Sequence, residues 1–118
     1  MATMKQIQAV FFRTAAGSEP VREWLRNLAV DDRKAIGDDI RRVEFRWPVG
    51  MPLSRPLGRG LHEVRSQLPS GRIARVIFYV SALQRMILLH AFFKTTQQTP
   101  KEDLDLARRR KQEHERSA

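Results

Sequence analysis

The sequence predicts an α+β domain, in which an antiparallel β-sheet carries an N-terminal helical hairpin on one face and is followed by a C-terminal helix. Three observations point there. Two stretches between residues 18 and 47 repeat their apolar residues at helical spacing. Three runs rich in β-branched and aromatic residues lie between 61 and 94, joined by short turns. A strong helix-start signal then follows at Thr99. At 118 residues the chain is long enough for one core between two layers, and it reads as a single domain over 1–118.

The elements follow in order. Residues 6–13, IQAVFFRT, read as a first strand. Ser18 is placed to cap a helix with Glu19 and Pro20 in its first turn, and Val21, Trp24, Leu25 and Leu28 form one apolar stripe. A second helix starts at Asp31 or Asp32, with Ile36, Ile40, Val43 and Trp47 at helical spacing. Trp24 and Trp47 read as core residues that hold the hairpin on the sheet. The stretch PVGMPLSRPLGRG at 48–60, with three prolines and three glycines, reads as a loop. HEVRSQL, RIARVIFYV and RMILLHAFFK are the remaining strands, paired as antiparallel hairpins. Thr99 as N-cap, Pro100 at the first helical position and Glu102 three residues after the cap make a capping box for the last helix. That helix has few apolar positions (Leu104, Leu106, Ala107) and is expected to dock by one edge.

Composition narrows the function. Lys and Arg number 22 against 13 Asp and Glu, a net charge of +9, which favours a polyanionic partner such as nucleic acid. Between Ser54 and Lys94, seven basic side chains face a single acid, Glu63, so most of the excess sits on the strand region; RRRK at 108–111 adds a second basic cluster. Cysteine is absent, which excludes disulfides and thiolate metal sites and agrees with a cytoplasmic protein. No secretory signal, membrane span, cofactor or metal site is expected. The three histidines lack metal-ligand spacing, and LGRGL at 57–61 matches neither phosphate-binding glycine pattern.

Strand alternation selects which side chains work together. Ala74, Val76, Phe78 and Val80 should face the hairpin, as should Ile87, Leu89, Ala91 and Phe93. Arg65, Arg75, Tyr79, His90 and Lys94 then share the opposite, open face. Arginine forks match phosphate oxygens, and aromatics such as Tyr79 and Phe92 can stack on bases. If the face is catalytic, the chemistry is cleavage of an RNA phosphodiester by its own 2′-hydroxyl. Arg65 and Arg75 would balance phosphorane charge, His90 or Lys94 would transfer the proton, and Tyr79 is a weaker acid. Arg59, Arg72, Arg85, Phe92, Arg108, Arg109 and Arg110 are candidates for binding RNA. Plainer readings stand beside these: His90 as a hydrogen-bonded core histidine, Arg65 and Arg75 as solvated residues of an exposed sheet face, and Lys94 as a strand end.

Four blocks carry a family resemblance: EPVREWLRNL at 19–28, PLGRGLHEVRSQL at 56–68, RIARVIFYV at 72–80 and ILLHAFFKTTQQTPKEDLDLARRR at 87–110. With these the chain resembles the phage-derived HigB-like group of the RelE/ParE toxin superfamily. The resemblance implies a RelE-like fold and the toxin of a type II toxin–antitoxin pair, a metal-independent mRNA endoribonuclease that acts on the ribosome and inhibits translation. The implied partner is a helix-turn-helix antitoxin, through which alone operator DNA would be touched. Arg65, Arg75 and Lys94 fall where that group keeps its basic active-site residues, while Thr95 and Gln98 stand where it often carries further lysines. Two other functions fit the same fold: a ParE-like toxin that acts on DNA gyrase, and a catalytically weak phage-derived protein that only binds its antitoxin.

Overall fold

A computed structural model of the chain describes residues 4–117. The elements run β1 (Gln8–Phe11), α1 (Pro20–Arg26), α2 (Val30–Arg46), β2 (Ser54–Gly58), β3 (Leu61–Gln67), β4 (Ile73–Val80), β5 (Arg85–Phe93) and α3 (Lys101–Ser117). The strands form one sheet in the order β1-β5-β4-β3-β2. This is the expected α+β arrangement, with the helical hairpin on one face and a C-terminal helix.

The sheet is mixed rather than wholly antiparallel. β1 lies parallel to β5, with Gln8 opposite Arg85 and Phe11 opposite Leu88. Short connections force antiparallel pairing only between strands that are neighbours in sequence. β1 and β5 are separated by the rest of the domain, so nothing in the turns specifies their relative direction. β2 is a further difference, because it forms inside the proline-rich stretch expected as a loop. It pairs with β3 through Ser54–Val64, Arg55–Glu63 and Pro56–His62. Pro56 is tolerated because β2 is the edge of the sheet, where a missing N–H costs no ladder bond.

The hairpin packs Val21, Leu25, Ile36, Ile40 and Val43 onto Val64, Val76, Phe78, Met86, Leu88 and Ala91. Trp24 and Trp47 pack against this core, as their spacing predicts. Trp24 meets the Phe93 ring at 4.9 Å, and Trp47 meets His62 edge-on at 4.9 Å. Two expected caps are replaced. α1 begins at Pro20 with Glu19 at its N-cap, and the Ser18 hydroxyl instead meets Thr14 Oγ1 at 2.9 Å within the preceding turn. α2 begins at Val30, and Asp32 accepts a hydrogen bond from Ser70 N at 3.2 Å, tying the helix start to the β3–β4 turn.

The second face is not open along its length. α3 lies across it, and Ala107 packs with Phe12, Leu61, Ile77, Tyr79, Ile87 and Leu89 as a second core. A bulge explains the altered alternation in β5. Ile77 pairs with His90 and Phe78 with Leu88, which leaves Leu89 as an extra residue. Leu88 and Met86 therefore enter the hairpin-side core, while Ile87 and Leu89 turn to α3. The expectation that Ile87 and Leu89 share a face with Ala91 and Phe93 is corrected accordingly. No described helix is long and apolar enough to cross a membrane.

A candidate RNA-facing basic site

α3 covers one end of the sheet face and leaves the other uncovered. At the uncovered end the register puts Arg65 opposite Arg75, Arg55 opposite Glu63, and Arg75 opposite Phe92. With a period of two along each strand, Glu63, Arg65 and Arg75 project from the same face. β5 ends one residue before Lys94, whose backbone N donates to Ile73 O at 2.7 Å, keeping it beside the start of β4.

The centre of this end is a carboxylate among cations. Glu63 is only 2% exposed. Its Oε1 accepts from Arg55 Nη2 at 3.1 Å and lies 3.3 Å from Arg75 Nε, an ion pair without hydrogen-bond alignment. Its Oε2 accepts from the Thr99 hydroxyl at 2.7 Å. Arg75, also 2% exposed, donates from Nη2 to Gln97 O at 3.0 Å and from Nη1 to Thr99 Oγ1 at 3.4 Å. The Thr99 side chain expected to cap the last helix is thus committed to Glu63. The 97–99 segment is tied across the buried guanidinium as a strap.

Four cations, Arg55, Arg65, Arg75 and Lys94, lie near one carboxylate that only Arg55 and Arg75 contact, and their mutual repulsion has consequences. Desolvation lowers the Lys94 pKa, and the charges of Arg65, Arg75 and Arg55 lower it further against the opposing pull of Glu63. Burial also lowers the Arg75 pKa, with Glu63 acting in the opposite sense. A guanidinium remains charged at neutral pH despite such a shift, whereas a lysine so placed comes closer to proton transfer. Arg65 is exposed and Lys94 half-buried, so both are accessible from solvent. A cavity of about 50 Å³, lined by Met51, Pro52, Arg55, Glu63, Arg65 and Arg75, opens onto the centre.

Arg65, Arg75 and Lys94 are therefore brought together as the sequence suggests. His90 and Tyr79 share their face but lie under α3. His90 Nε2 donates to Asp103 Oδ1 at 2.6 Å, and its ring stacks with Phe92 at 5.4 Å. The Tyr79 hydroxyl hydrogen-bonds with His114 Nδ1, and burial and Glu115 raise its pKa. Both side chains thus hold α3 in place.

The candidate RNA-binding residues divide by position. Arg72 stacks its guanidinium over Phe93 at 4.3 Å and lines a cleft of about 650 Å³ with Lys94, Thr95 and Gln97. Phe92 is half-buried on the other face, opposite Arg75 in the register and against the α3-side core. Arg59, in the β2–β3 turn, and Arg85, at the start of β5, are exposed and remote from this site by the sheet register. On α3, Arg109 is exposed. Arg110 Nη1 is bound to Leu89 O at 2.8 Å, and Arg108 lies 3.6 Å from Asp105.

Arg55, Glu63, Gln97 and Thr99 were not foreseen as parts of the site. Glu63 left a readable signal: it is the lone acid of the basic 54–94 segment, and it has the same strand parity as Arg65. Arg55 and Thr99 gave none, because their roles depend on β2 forming and on the fold of the strap.

Comparison with known proteins agrees with this architecture. No curated protein matches the chain. A family model described as phage derived protein Gp49-like (DUF891) matches residues 23–112, from α1 through most of α3 and including every residue of the basic site. The chain belongs to this phage-derived Gp49-like family, a RelE/ParE-like toxin family.

Proposed function

We propose that this protein is the HigB-like toxin of a type II toxin–antitoxin pair, acting in the cytoplasm as a metal-independent, ribosome-dependent mRNA endoribonuclease. One observation carries the reading: Arg55 and Arg75 meet on the buried Glu63 carboxylate at the uncovered end of the sheet, with Arg65 opposite Arg75 and Lys94 held beside the start of β4. Such a cluster is costly to assemble and suits a substrate that concentrates negative charge, as a phosphorane does.

In the reaction, the 2′-hydroxyl adjacent to the scissile bond loses its proton to neutral Lys94 and attacks phosphorus. The 2′-oxygen–phosphorus bond forms and the bond to the 5′-oxygen breaks, leaving a 2′,3′-cyclic phosphate. The departing 5′-oxygen takes a proton from water. Arg65, exposed at the site, makes the direct contact to the non-bridging oxygens. Arg75 contributes its field from below, since Gln97 and Thr99 already occupy its donors. The ribosome would present the mRNA in the extended form that in-line attack requires. A helix-turn-helix antitoxin would neutralise the toxin, and operator DNA would be reached only through that partner.

The test is primer extension on a defined mRNA in a purified translation system, with and without ribosomes. Wild type should cut only with ribosomes, and Arg65→Ala and Lys94→Ala should each lose at least about a hundredfold in rate. Folded wild type that makes no cuts would sink the endoribonuclease reading, and inhibition of gyrase supercoiling would replace it.

A further inference from the structure

A groove of about 570 Å³ lies between the C-terminal end of α2 and β3, with Arg42, Arg46, Val49, Met51, Leu53 and Arg65 among its lining residues. It is continuous with the small cavity over Glu63 and Arg75, because Met51, Pro52 and Arg65 border both. Arg42 is already paired with Asp39, the groove's acid. Arg46 and Arg65 have no acidic partner among the described residues. Between these charges lies an apolar floor of Val49, Met51 and Leu53, with Met51 71% exposed. Single exposed apolar side chains are ordinary on proteins. The weight here comes from the position of Met51, at the junction of the groove and the basic site.

We propose that this groove is a binding site for single-stranded RNA. It seats the nucleotide next to the scissile phosphate, with its base on the Val49–Met51–Leu53 floor and its phosphate on Arg46, while Arg65, which borders both cavities, stays on the scissile phosphate. The inference rests on the endoribonuclease reading and extends it to the substrate's path. A single strand is specified because a base must leave its stack to lie on an apolar floor, while its phosphate stays within reach of the flanking arginines. The flexible thioether of Met51 suits this contact, since it adapts to different aromatic faces. An acidic peptide would satisfy the arginines and leave the floor unused.

The experiment is a fluorescence-anisotropy titration with a labelled short single-stranded RNA, without ribosomes, on variants whose thermal melts match wild type. Met51→Ala and Arg46→Ala should each weaken binding by about threefold to tenfold. Arg46→Ala should also reduce the salt-dependence slope by about 0.7. The control is Arg13→Ala, which removes the same charge from an exposed residue beyond the opposite edge strand and should bind as wild type does. An abasic oligonucleotide should bind wild type no better than normal RNA binds Met51→Ala. The inference is overturned if Met51→Ala and Arg46→Ala bind like Arg13→Ala, or if the abasic strand binds as tightly as RNA. It also falls if the two variants lose only capture of a helix-turn-helix antitoxin, since the groove would then serve a protein partner. Binding and cleavage fail separately: loss of RNA affinity in the variants supports the groove even if wild type never cuts, whereas unchanged affinity with intact cutting removes the groove alone.

Discussion

Replacing Glu63 by alanine removes the one anion from the centre of the basic site. Its charge lies 3.3 Å from Arg75 Nε, which at an effective permittivity of about 20 corresponds to an attraction of about 5 kcal/mol. Part of this is recovered. The Arg55 side chain is 37% exposed and can rehydrate, so its pairing with Glu63 contributes little. Arg75 has no such escape, being 2% exposed and pinned by Gln97 and Thr99. Leaving a buried cation without its partner costs about 3 to 5 kcal/mol, and we expect the lower end because two hydrogen bonds to Arg75 survive. For a domain of this size that is a fall in Tm of about 10 °C. Glu63→Gln keeps an acceptor for Thr99 but loses the charge, and should cost about 2 kcal/mol. The double variant Glu63→Leu with Arg75→Met removes both charges and should be less destabilised than the sum of its single variants by at least about 1.5 kcal/mol. Urea unfolding followed by circular dichroism measures all six proteins: wild type, Glu63→Ala, Glu63→Gln, Glu63→Leu, Arg75→Met and the double variant. A loss below about 1 kcal/mol in Glu63→Ala, or strict additivity in the double variant, would refute this view of the centre.

Three further outcomes follow from the same geometry. The Arg65 charge helps to lower the Lys94 pKa, so Arg65→Ala should move the rising limb of the single-turnover cleavage profile to higher pH. A limb that stays in place would show that Lys94 is not the titrating base. His62, stacked on Phe78 and set against Trp47, has its pKa lowered by burial below the ordinary 6.5. The unfolded chain therefore takes up the proton first. The His62 contribution to stability is complete above about pH 6.5 and declines as pH falls towards the lower folded value. Urea midpoints at about pH 7.5 and about pH 5 should lie closer together in His62→Phe than in wild type. Finally, Tyr79→Phe and His90→Ala should each cost about 1 kcal/mol and speed amide exchange in α3, while cleavage stays within about threefold of wild type. A hundredfold loss of cleavage with normal α3 protection would instead make either residue catalytic.

Much of this molecule is written in short-range pattern. The helical spacing of Val21, Leu25, Ile36, Ile40 and Val43 and the alternation in RIARVIFYV determine the hairpin-side core, because both periods are properties of the local backbone. The same alternation groups Arg65 with Arg75, since the β3–β4 turn sets their register. The resemblance of the strand and C-terminal blocks pointed to the toxin superfamily for the same reason: those residues lie close together in sequence.

Tertiary structure decided what local pattern could not carry. One inserted residue, Leu89, moved Ile87 and Leu89 to the α3 side, and no period-two reading anticipates a bulge set by the neighbouring strand. α3 chose which end of the second face to cover. It drew His90 and Tyr79 into its own contacts and left the Arg65 end uncovered, through Ala107 and the Asp103 and His114 bonds. β2 formed from a proline-rich stretch only because an edge was available beside β3, and it brought Arg55 to Glu63. Thr99 forsook a capping box for Glu63, which is 36 residues away along the chain. The sequence by itself determined which charges this protein carries and on which strands. Long-range packing decided which of them meet, since a buried carboxylate takes its partners from space rather than from sequence.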